Sequence, residues 1–319
     1  MKFFLRKLVR LLVVLFVVTF ITFISVRWLP GDPIVIKTGG GATKAQVEVI
    51  RNYYGLNKPV LTQYWVWLGR AVTGDLGESL VNPIKVTTYL KHTLPVSLLL
   101  MFWAQFLALT LAIPLGIFTA YRAGSNTDRA VNTVSFGLLS IPEYVYAPLL
   151  VILFAVKFHV FRAVSEVYVA PWDSPYRHFK NFFLPAATLA LVQIPVYMRL
   201  LRTDMVATLQ MDYITMARAK GLSTLRILFR HALRPSCFSL LTVAAVNIGA
   251  LIGGSFVVEN FFELNGIGKT TIVAVLDSDY TVVQGVVLVV AVGFVISNFL
   301  VDMSYSLLDP RIRDARSVA

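Results

Sequence analysis

The chain has 319 residues, of which 57% are hydrophobic and only 14% are charged, and its formal net charge is +12. Soluble domains carry about 25% charged and 45–50% apolar residues, so this composition argues against a soluble protein and for a membrane protein. The basic residues lie in the gaps between apolar runs, which suits orientation in a membrane better than binding of nucleic acid along a soluble face.

Six apolar runs are long enough to cross a membrane, since a spanning helix needs about 20 mostly apolar residues. They cover residues 8–26, 94–121, 130–156, 184–201, 237–258 and 282–303. The first follows basic residues, as in a signal peptide, but it is too long and no small-residue cleavage site follows, so we expect an uncleaved anchor helix. The expected fold is an all-α membrane protein with six transmembrane helices.

The segment between the first two spans is too long for a turn. Two stretches in it, around Val47 and around Leu61, have helical spacing, and the sequence from Leu56 to Pro59 separates them. We therefore expect a small external helical segment lying on the membrane face, with its aromatic residues at the interface. The chain then divides into an N-terminal helix (1–27), an external segment (28–93), a core domain (94–306) with a basic loop (203–235), and a tail (307–319).

The distribution of Lys and Arg predicts that both termini are cytoplasmic. Six spans place the termini on one side, and the segments on that side carry 16 basic residues against 13 on the other. Eight of those 13 lie in the long external segment, and long loops contribute little to orientation. Without them the comparison is 16 against 5, so the basic loop is expected to face the cytoplasm.

No motif in the sequence predicts a cofactor, a metal site or an enzyme. The stretch 266–271 resembles the end of a phosphate-binding loop, but the motif G-x-x-x-x-G-K-[ST] requires glycine at position 263, which is Glu263. We interpret this stretch as a tight turn, because glycine tolerates positive φ. The four histidines lie in different loops, and Cys237 is the one cysteine. Any ATP-driven activity would need another subunit to hydrolyse the nucleotide.

Polar side chains inside the predicted spans are candidate pathway residues. An ionisable group is costly to bury in a membrane, so Glu143, directly after Pro142, could line a pathway and favour a cationic solute. The alternatives for Glu143 are an interhelical hydrogen bond or a position near the helix edge. Gln193 and Gln284 are weaker candidates, since amides inside membranes more often hold helices together.

The basic stretch DYITMARAKGLSTLRILFRHALRP, from Asp212 to Pro235, has helical spacing on both sides of Gly221. Gly221 suits the end of one helix, and Ser223 or Thr224 suits the cap of the next. The pattern predicts helix, bend and helix along the cytoplasmic surface. Contact with anionic lipid headgroups and docking into a partner protein are equally open at this point.

The order of motifs along the chain resembles that of the membrane permeases of bacterial ABC importers of the oligopeptide, dipeptide and nickel class. The matching stretches include Leu29-Pro30-Gly31-Asp32-Pro33, Gly74-Asp75-Leu76-Gly77-Glu78-Ser79, Ala217-Arg218-Ala219-Lys220-Gly221-Leu222, Asp279-Tyr280, Val283-Gln284-Gly285 and Leu308-Asp309-Pro310-Arg311-Ile312-Arg313. The resemblance implies the type I importer permease fold in a bacterial cytoplasmic membrane. It also implies a subunit that transports short peptides, or alternatively nickel or a metal–chelator complex, rather than an enzyme.

The resemblance further implies partners and a coupling site. The partners would be a second homologous permease, two ABC ATPase subunits that bind ATP and Mg, and an external solute-binding protein, within membrane lipid and without nucleic acid. The residues carried over from the family's ATPase-coupling loop are Ala217, Arg218, Ala219, Lys220, Gly221, Leu222 and Arg226. Ala217 and Gly221 match its E-A-A-x-x-x-G signature, whereas Thr215 and Met216 stand where glutamate and alanine would be. An ATP-independent secondary transporter or a membrane scaffold is the alternative of another class.

Overall fold

The computed structural model describes residues 2–27, 34, 41–53, 55–164 and 168–308. The described residues form helices and loops, with one isolated β-bridge between Glu78 and Lys85. Five helices are long and apolar enough to cross a membrane, and a bent pair makes a sixth if it is one span. The predicted all-α membrane fold is therefore confirmed. The motif at 29–33 and the tail beyond Leu308 lie outside the described residues.

The chain forms two compact units, and the first comprises residues 1–97 and 265–296. Its helices are α1 (Lys2–Arg27), α2 (Lys44–Tyr53), α3 (Val60–Val72), the beginning of α4 (Val86–Tyr121), α11 (Ile267–Leu276) and most of α12 (Tyr280–Leu308). α2 and α3 occupy the segment in which helical spacing predicts two helices. A turn at 55–58 separates them, and Gly55 there has φ +66°.

An aromatic cluster packs α3 against α1. Tyr64 is fully buried, and its ring centroid lies 5.8, 5.1 and 5.3 Å from those of Phe16, Phe20 and Phe23 in edge-on geometry. The hydroxyl of Tyr64 lies 3.0 Å from that of Thr19 in α1. Each such aromatic pair contributes roughly 0.5–1.5 kcal/mol beyond the area it buries, so these contacts fix α3 along α1.

Asp279, the residue before α12, connects that helix to the loop after α3. Its Oδ1 accepts hydrogen bonds from the backbone N–H of Val282 at 3.3 Å and of Leu80 at 3.1 Å. The other carboxylate oxygen accepts a hydrogen bond from the hydroxyl of Ser79. Ser79 and Asp279 belong to two motifs, 200 residues apart, that carry the family resemblance. The structure brings these motifs together inside the first unit.

The second unit comprises residues 98–264 and 297–319, and α7 lies at its centre. Its helices are the rest of α4, α5 (Asn126–Ser140), α6 (Glu143–Leu150), α7 (Pro175–Leu209), α8 (Asp212–Ala219), α9 (Thr224–Arg226), α10 (Leu233–Phe261) and the end of α12. π-helical turns extend α6 through Val151–Lys157 and join α9 to α10 through Ile227–Ala232. α7 packs against α5, α6 and α10.

Small residues on α4 allow it to approach α7 closely. They recur at every fourth position and are all buried: Ala104, Ala108, Ala112, Gly116 and Ala120. A Cβ added at Gly116 would lie 3.1 Å from the carbonyl oxygen of Met198 and 3.2 Å from the Cβ of Leu201, both in α7. Small side chains in such a row permit the close backbone approach on which helix association in membranes relies.

The third apolar run, predicted as one span over 130–156, is broken in the structure. α5 and the helix formed by α6 with its π-helical extension meet at 102°. Pro142 explains the break, because proline disfavours the helical conformation in the residue before it, and Ile141 is extended with φ −88° and ψ 125°. The hydroxyl of Tyr146 donates to the carbonyl of Leu138, which also accepts the backbone N–H of Ile141 at 3.2 Å, and so connects α6 to the end of α5.

The stretch 266–271, predicted as a tight turn, begins α11. Gly266 caps this helix with φ −97°, and Gly268 is its second residue. Positive φ falls instead on Glu263, at +58°. The backbone N–H of Ile267 donates to Ser97 Oγ at 2.8 Å, which fixes the start of the helix. The tight-turn prediction is wrong because these glycines adopt conformations open to any residue.

We expect Gly285→Ala to destabilise the first unit. A Cβ at Gly285 would lie 2.4 Å from Cγ1 of Val86, a stiff and fully buried side chain, and overpacking of this kind costs about 1–3 kcal/mol. Gly293→Ala in the same helix is the control, because a Cβ there meets nothing within 4 Å. Thermal unfolding of the purified protein in detergent should show a lower midpoint for Gly285→Ala alone. Equal midpoints for the two variants would contradict the packing argument.

Candidate functional site

The predicted coupling segment contains a short helix, α8, that ends before a glycine in the left-handed conformation. Gly221 has φ +76°, which glycine adopts without steric penalty. Its backbone N–H donates to the carbonyl of Arg218 at 2.9 Å, and the N–H of Leu222 donates to the carbonyl of Ala217 at 3.2 Å. Together these bonds form a Schellman motif, which closes the last turn of a helix. Gly221 thus ends α8, as its place in the sequence predicts.

One face of α8 is buried against the helices on either side of it in the chain. Ile214 and Ala217 form a small apolar cluster with Ile227, and Leu209 and Leu222 pack against it. Leu209 is the last residue of α7, whereas Ile227 begins the π-helical turns that lead into α10. The cluster therefore connects α8 to two long helices of the second unit.

The second helix of the segment is not a separate surface helix, in contrast to the sequence prediction. α9 has three residues, and the π-helical turns carry it without interruption into α10. Residues 224–235 are therefore the first turns of the fifth spanning helix. α7 likewise continues to Leu209, so residues 210–223 are the part of 203–235 that connects long helices. The prediction missed this continuity because the helical spacing after Thr224 runs directly into the next apolar run.

Burial divides the seven predicted coupling residues into two groups. Ala217 is buried and Leu222 is half-buried, so both contribute to packing. The other five are exposed: Arg218, Ala219, Lys220, Gly221 and Arg226. Three of these five carry positive charge, which gives the exposed side of the segment a basic character.

Two exposed apolar residues, which the sequence analysis did not assign to the coupling site, lie on the same short helix. Tyr213 is 46% exposed and Met216 is 57% exposed. They are three residues apart, as are Ile214 and Ala217, so each pair occupies one side of α8. The sequence contains a signal for this exposed pair. Ile214 and Ala217 already supply the buried face of the helix, so Tyr213 and Met216 form a second apolar pair. We call Tyr213, Met216, Arg218, Lys220 and Arg226 the coupling surface.

A buried ion pair joins the beginning of α5 to α7. Asp128 is 3% exposed, and Arg202 binds both of its oxygens, with Nε 2.7 Å from Oδ1 and Nη2 2.6 Å from Oδ2. The carboxylate also accepts hydrogen bonds from the backbone N–H of Gly124 at 2.9 Å and the side-chain amide of Asn132 at 2.8 Å. Both carboxylate oxygens of Asp128 therefore accept hydrogen bonds. The ion pair holds the first turn of α5 against α7, seven residues before α7 ends.

Gln193, a candidate pathway residue, belongs to a buried group of polar side chains around Tyr197. The hydroxyl of Tyr197 lies 2.5 Å from Oε1 of Gln193 and 3.1 Å from Oε1 of Gln105, and the amide of Asn247 donates to it at 3.2 Å. These contacts connect α4, α7 and α10. Since the hydroxyl has one proton, it donates to one glutamine at a time. The geometry gives Gln193 a role in helix contacts, and its role in a pathway stays a prediction.

The other two pathway candidates lie in different units. Glu143 is half-buried and is the first residue of α6, directly after the break at Pro142. A carboxylate at this position also complements the partial positive charge of a helix N-terminus. No hydrogen bond joins Glu143 to Gln193. Gln284 is 7% exposed and lines a cavity of about 740 Å³ in the first unit.

In a comparison with known proteins, two family models of membrane transport components together match nearly the whole chain. Residues 112–314 match the family described as binding-protein-dependent transport system inner membrane component, and residues 1–100 match the N-terminal region of such membrane components. A putative peptide transport system permease protein of Brucella abortus (strain 2308) is 36% identical over 97% of this chain and 98% of its own length. The oligopeptide transport system permease protein AppB of Bacillus subtilis (strain 168) is 32% identical, over 96% of this chain and 98% of AppB. The di/tripeptide transport system permease protein DppB of Pseudomonas aeruginosa (strain UCBPP-PA14) is 33% identical, over 99% and 100%.

We expect Asp128→Asn to destabilise the second unit by about 3 kcal/mol, because it leaves the guanidinium of Arg202 without its counter-charge. The double variant Asp128→Asn/Arg202→Gln should lose less stability than the sum of the two single variants, since it leaves no unpaired charge. Asp204→Asn in α7 is the control for loss of a carboxylate from the same helix, because one oxygen of Asp204 is buried without a hydrogen-bond partner. Thermal unfolding of the unaltered protein and of the four variants provides the measurement. Strict additivity of the stability losses of the two single variants would contradict direct pairing of Asp128 with Arg202.

Proposed function

The chain belongs to the family of inner membrane components of binding-protein-dependent transport systems, and we propose that it forms, with a second homologous permease, a translocation pathway for short peptides. Family membership makes it a multi-pass permease subunit of an ABC importer rather than an enzyme, and it sets aside a secondary transporter and a membrane scaffold. The three relatives described above support the peptide substrate, because each is named for peptide transport and covers almost the whole chain. No observation favours nickel or a metal–chelator complex.

The complete importer would contain two ABC ATPase subunits and an external solute-binding protein in addition to the two permeases. The family description, which names dependence on a binding protein, supports the last of these. The stretch 266–271 supports separate ATPase subunits, because it lacks the first glycine of a phosphate-binding loop and is helical from Ile267. ATP and Mg would bind to those subunits.

The coupling surface would dock into a groove of one ATPase subunit. The observation that supports this most directly is the division of α8 into a buried face, formed by Ile214 and Ala217, and an exposed face with Tyr213 and Met216. A helix that is packed through one face and exposes apolar side chains on another can bind a partner through the exposed face. The partner can then move the helix while the packed contacts are kept. Movement of α8 would pass to α7 at Leu209 and to α10 through Ile227.

The coupling surface and both termini would face the cytoplasm. The excess of Lys and Arg on that side supports this orientation, with 16 residues against 5 when the long external segment is left out. Substrate would then arrive from the opposite face, and the pathway would alternate between outward-facing and inward-facing states as the bundle rearranges.

We expect Gly221→Val to abolish peptide uptake and substrate-stimulated ATP hydrolysis while leaving membrane insertion intact. A β-branched residue does not adopt φ +76°, so the turn after α8 would be lost. Gly221→Asn is the control, because asparagine tolerates the left-handed conformation and should retain most of the activity. A Cβ at this position meets nothing within 4 Å, so a steric clash inside the chain cannot explain a difference between the variants. Proteoliposomes that contain all partner subunits provide the measurement, and normal stimulated hydrolysis in Gly221→Val would refute docking through α8.

We expect Glu143→Gln to change the uptake of cationic peptides more than that of neutral peptides, because it removes a carboxylate at the break in the third span. Uptake of a lysine-containing and of an uncharged peptide of equal length, measured in the same vesicles, separates this effect from a general loss of activity. Equal changes for both peptides would assign Glu143 to the stability of α6 instead of to the pathway.

A further inference from the structure

Charged side chains line the cavity that contains Gln284, and the proposed peptide transport does not explain them. Its volume of about 740 Å³ falls within the range of roughly 300–1,000 Å³ that is usual for ligand sites. The end of α1, the turn between α2 and α3, α3 itself, the loop after α3 and the start of α12 form its walls. All these elements belong to the first unit.

Basic side chains outnumber acidic ones in this cavity. Among the described residues, four basic and two acidic ones line it: Arg27, Lys58, Arg70 and Lys85, with Asp75 and Glu78. Within the part of the chain that the structure describes, no ion pair joins any of these four basic residues to a carboxylate. Oδ1 of Asp75 accepts the backbone N–H of Gly77 at 3.0 Å instead. The four basic side chains exceed the two carboxylates, so an anion that binds among them is attracted by the excess positive charge.

Arg27 is less exposed than the other three cations and is held in a fixed position. Its guanidinium carbon lies 3.5 Å from the centroid of the Phe23 ring. Its Nη1 donates to the carbonyl of Phe23 at 2.8 Å, and its Nη2 donates to Oε1 of Gln63 at 2.7 Å. Gln63 in turn donates to the carbonyls of Leu56 and Lys58 in the turn between α2 and α3. These bonds use two of the five N–H donors of the guanidinium, so three are left for a ligand, and this planar group suits phosphate.

We expect the cavity to lie at the depth of lipid headgroups, because its wall includes the end of the apolar span of α1. The apolar span of α1 extends from Val9 to Arg27, and the end of such a span meets the headgroup region. α3 beside the cavity exposes apolar side chains, with Leu61 and Trp65 each 59% exposed and Val72 81% exposed. Exposed apolar side chains beside a charged cavity are suited to contact with the acyl chains of membrane lipid.

We propose that this cavity binds the phosphate of an anionic phospholipid headgroup, in the leaflet where α1 ends. Arg27 binds the phosphate directly, and Lys58 and Arg70 add positive charge at the exposed edge. Four basic against two acidic side chains favour an anionic headgroup over a zwitterionic one. The bound lipid adds to the aromatic contacts that hold α3 against α1.

Native mass spectrometry of the complete transporter, released from nanodiscs that contain equal amounts of phosphatidylglycerol and phosphatidylethanolamine, tests this proposal. The unaltered protein should retain phosphatidylglycerol preferentially. Lys58→Gln and Arg70→Gln should each lower that retention about fivefold, as expected for the loss of one charge beside an anionic headgroup. Both side chains are exposed, so these variants should fold normally even if Arg27→Gln, which also breaks the contact with Gln63, does not.

Lys44→Gln is the control, because Lys44 is an exposed lysine of α2 outside the cavity, and retention should not change. Equal retention of the two lipids by the unaltered protein, or the same loss in the control as in the cavity variants, would overturn the proposal. Soluble glycerol phosphate provides a further arm. If it displaces phosphatidylglycerol at micromolar concentration, the cavity recognises a free phosphate compound and the lipid assignment is wrong.

Discussion

Close contact between α4 and α7 is the constraint on which the second unit depends. Helices inside a membrane gain little from apolar burial, so they associate through packing and hydrogen bonds. The buried row of small residues on α4 brings its backbone near Met198 and Leu201, and this approach allows Tyr197 to reach Gln105. About one turn further along α7, Arg202 pairs with Asp128. These contacts hold α7 in position. Two residues separate its end from the beginning of α8.

The link between α8 and the rest of the unit combines two kinds of interaction. Backbone hydrogen bonds around Gly221 determine the shape of the helix end, whereas three buried apolar side chains determine where the helix lies. One of these, Ile227, begins a π-helical stretch that joins α9 to α10. π-helical turns inside longer helices often occur at functional sites, and this one lies where motion of α8 would enter the fifth spanning helix.

Hydropathy and spacing were sufficient for the number of apolar spans, the two helices after α1 and the helix end at Gly221. They did not predict the bend at Pro142, because an apolar run indicates that a segment lies in the membrane but does not indicate the direction of its helix axis. The continuity of α9 with α10 was missed for a similar reason, since both stretches have the same period. The contact between Ser79 and Asp279 depends on tertiary folding over 200 residues, which no local pattern encodes. Gln193 was predicted as a pathway residue because the sequence could not show that its neighbour Tyr197 meets Gln105 and Asn247 on other helices.

The division of α8 into an anchored and an open face has a consequence for how related importers stay separate. Within α8, Ile214 and Ala217 make the buried contacts that position the helix, so residues such as Thr215 and Met216 can change without disturbing the fold. Under the proposed docking of ATPase subunits on this face, a cell that contains several importers of this kind needs each permease to reject the ATPases of the others. Substitution on the open face can supply that discrimination through unfavourable contacts with wrong partners, while the same skeleton is kept in every copy.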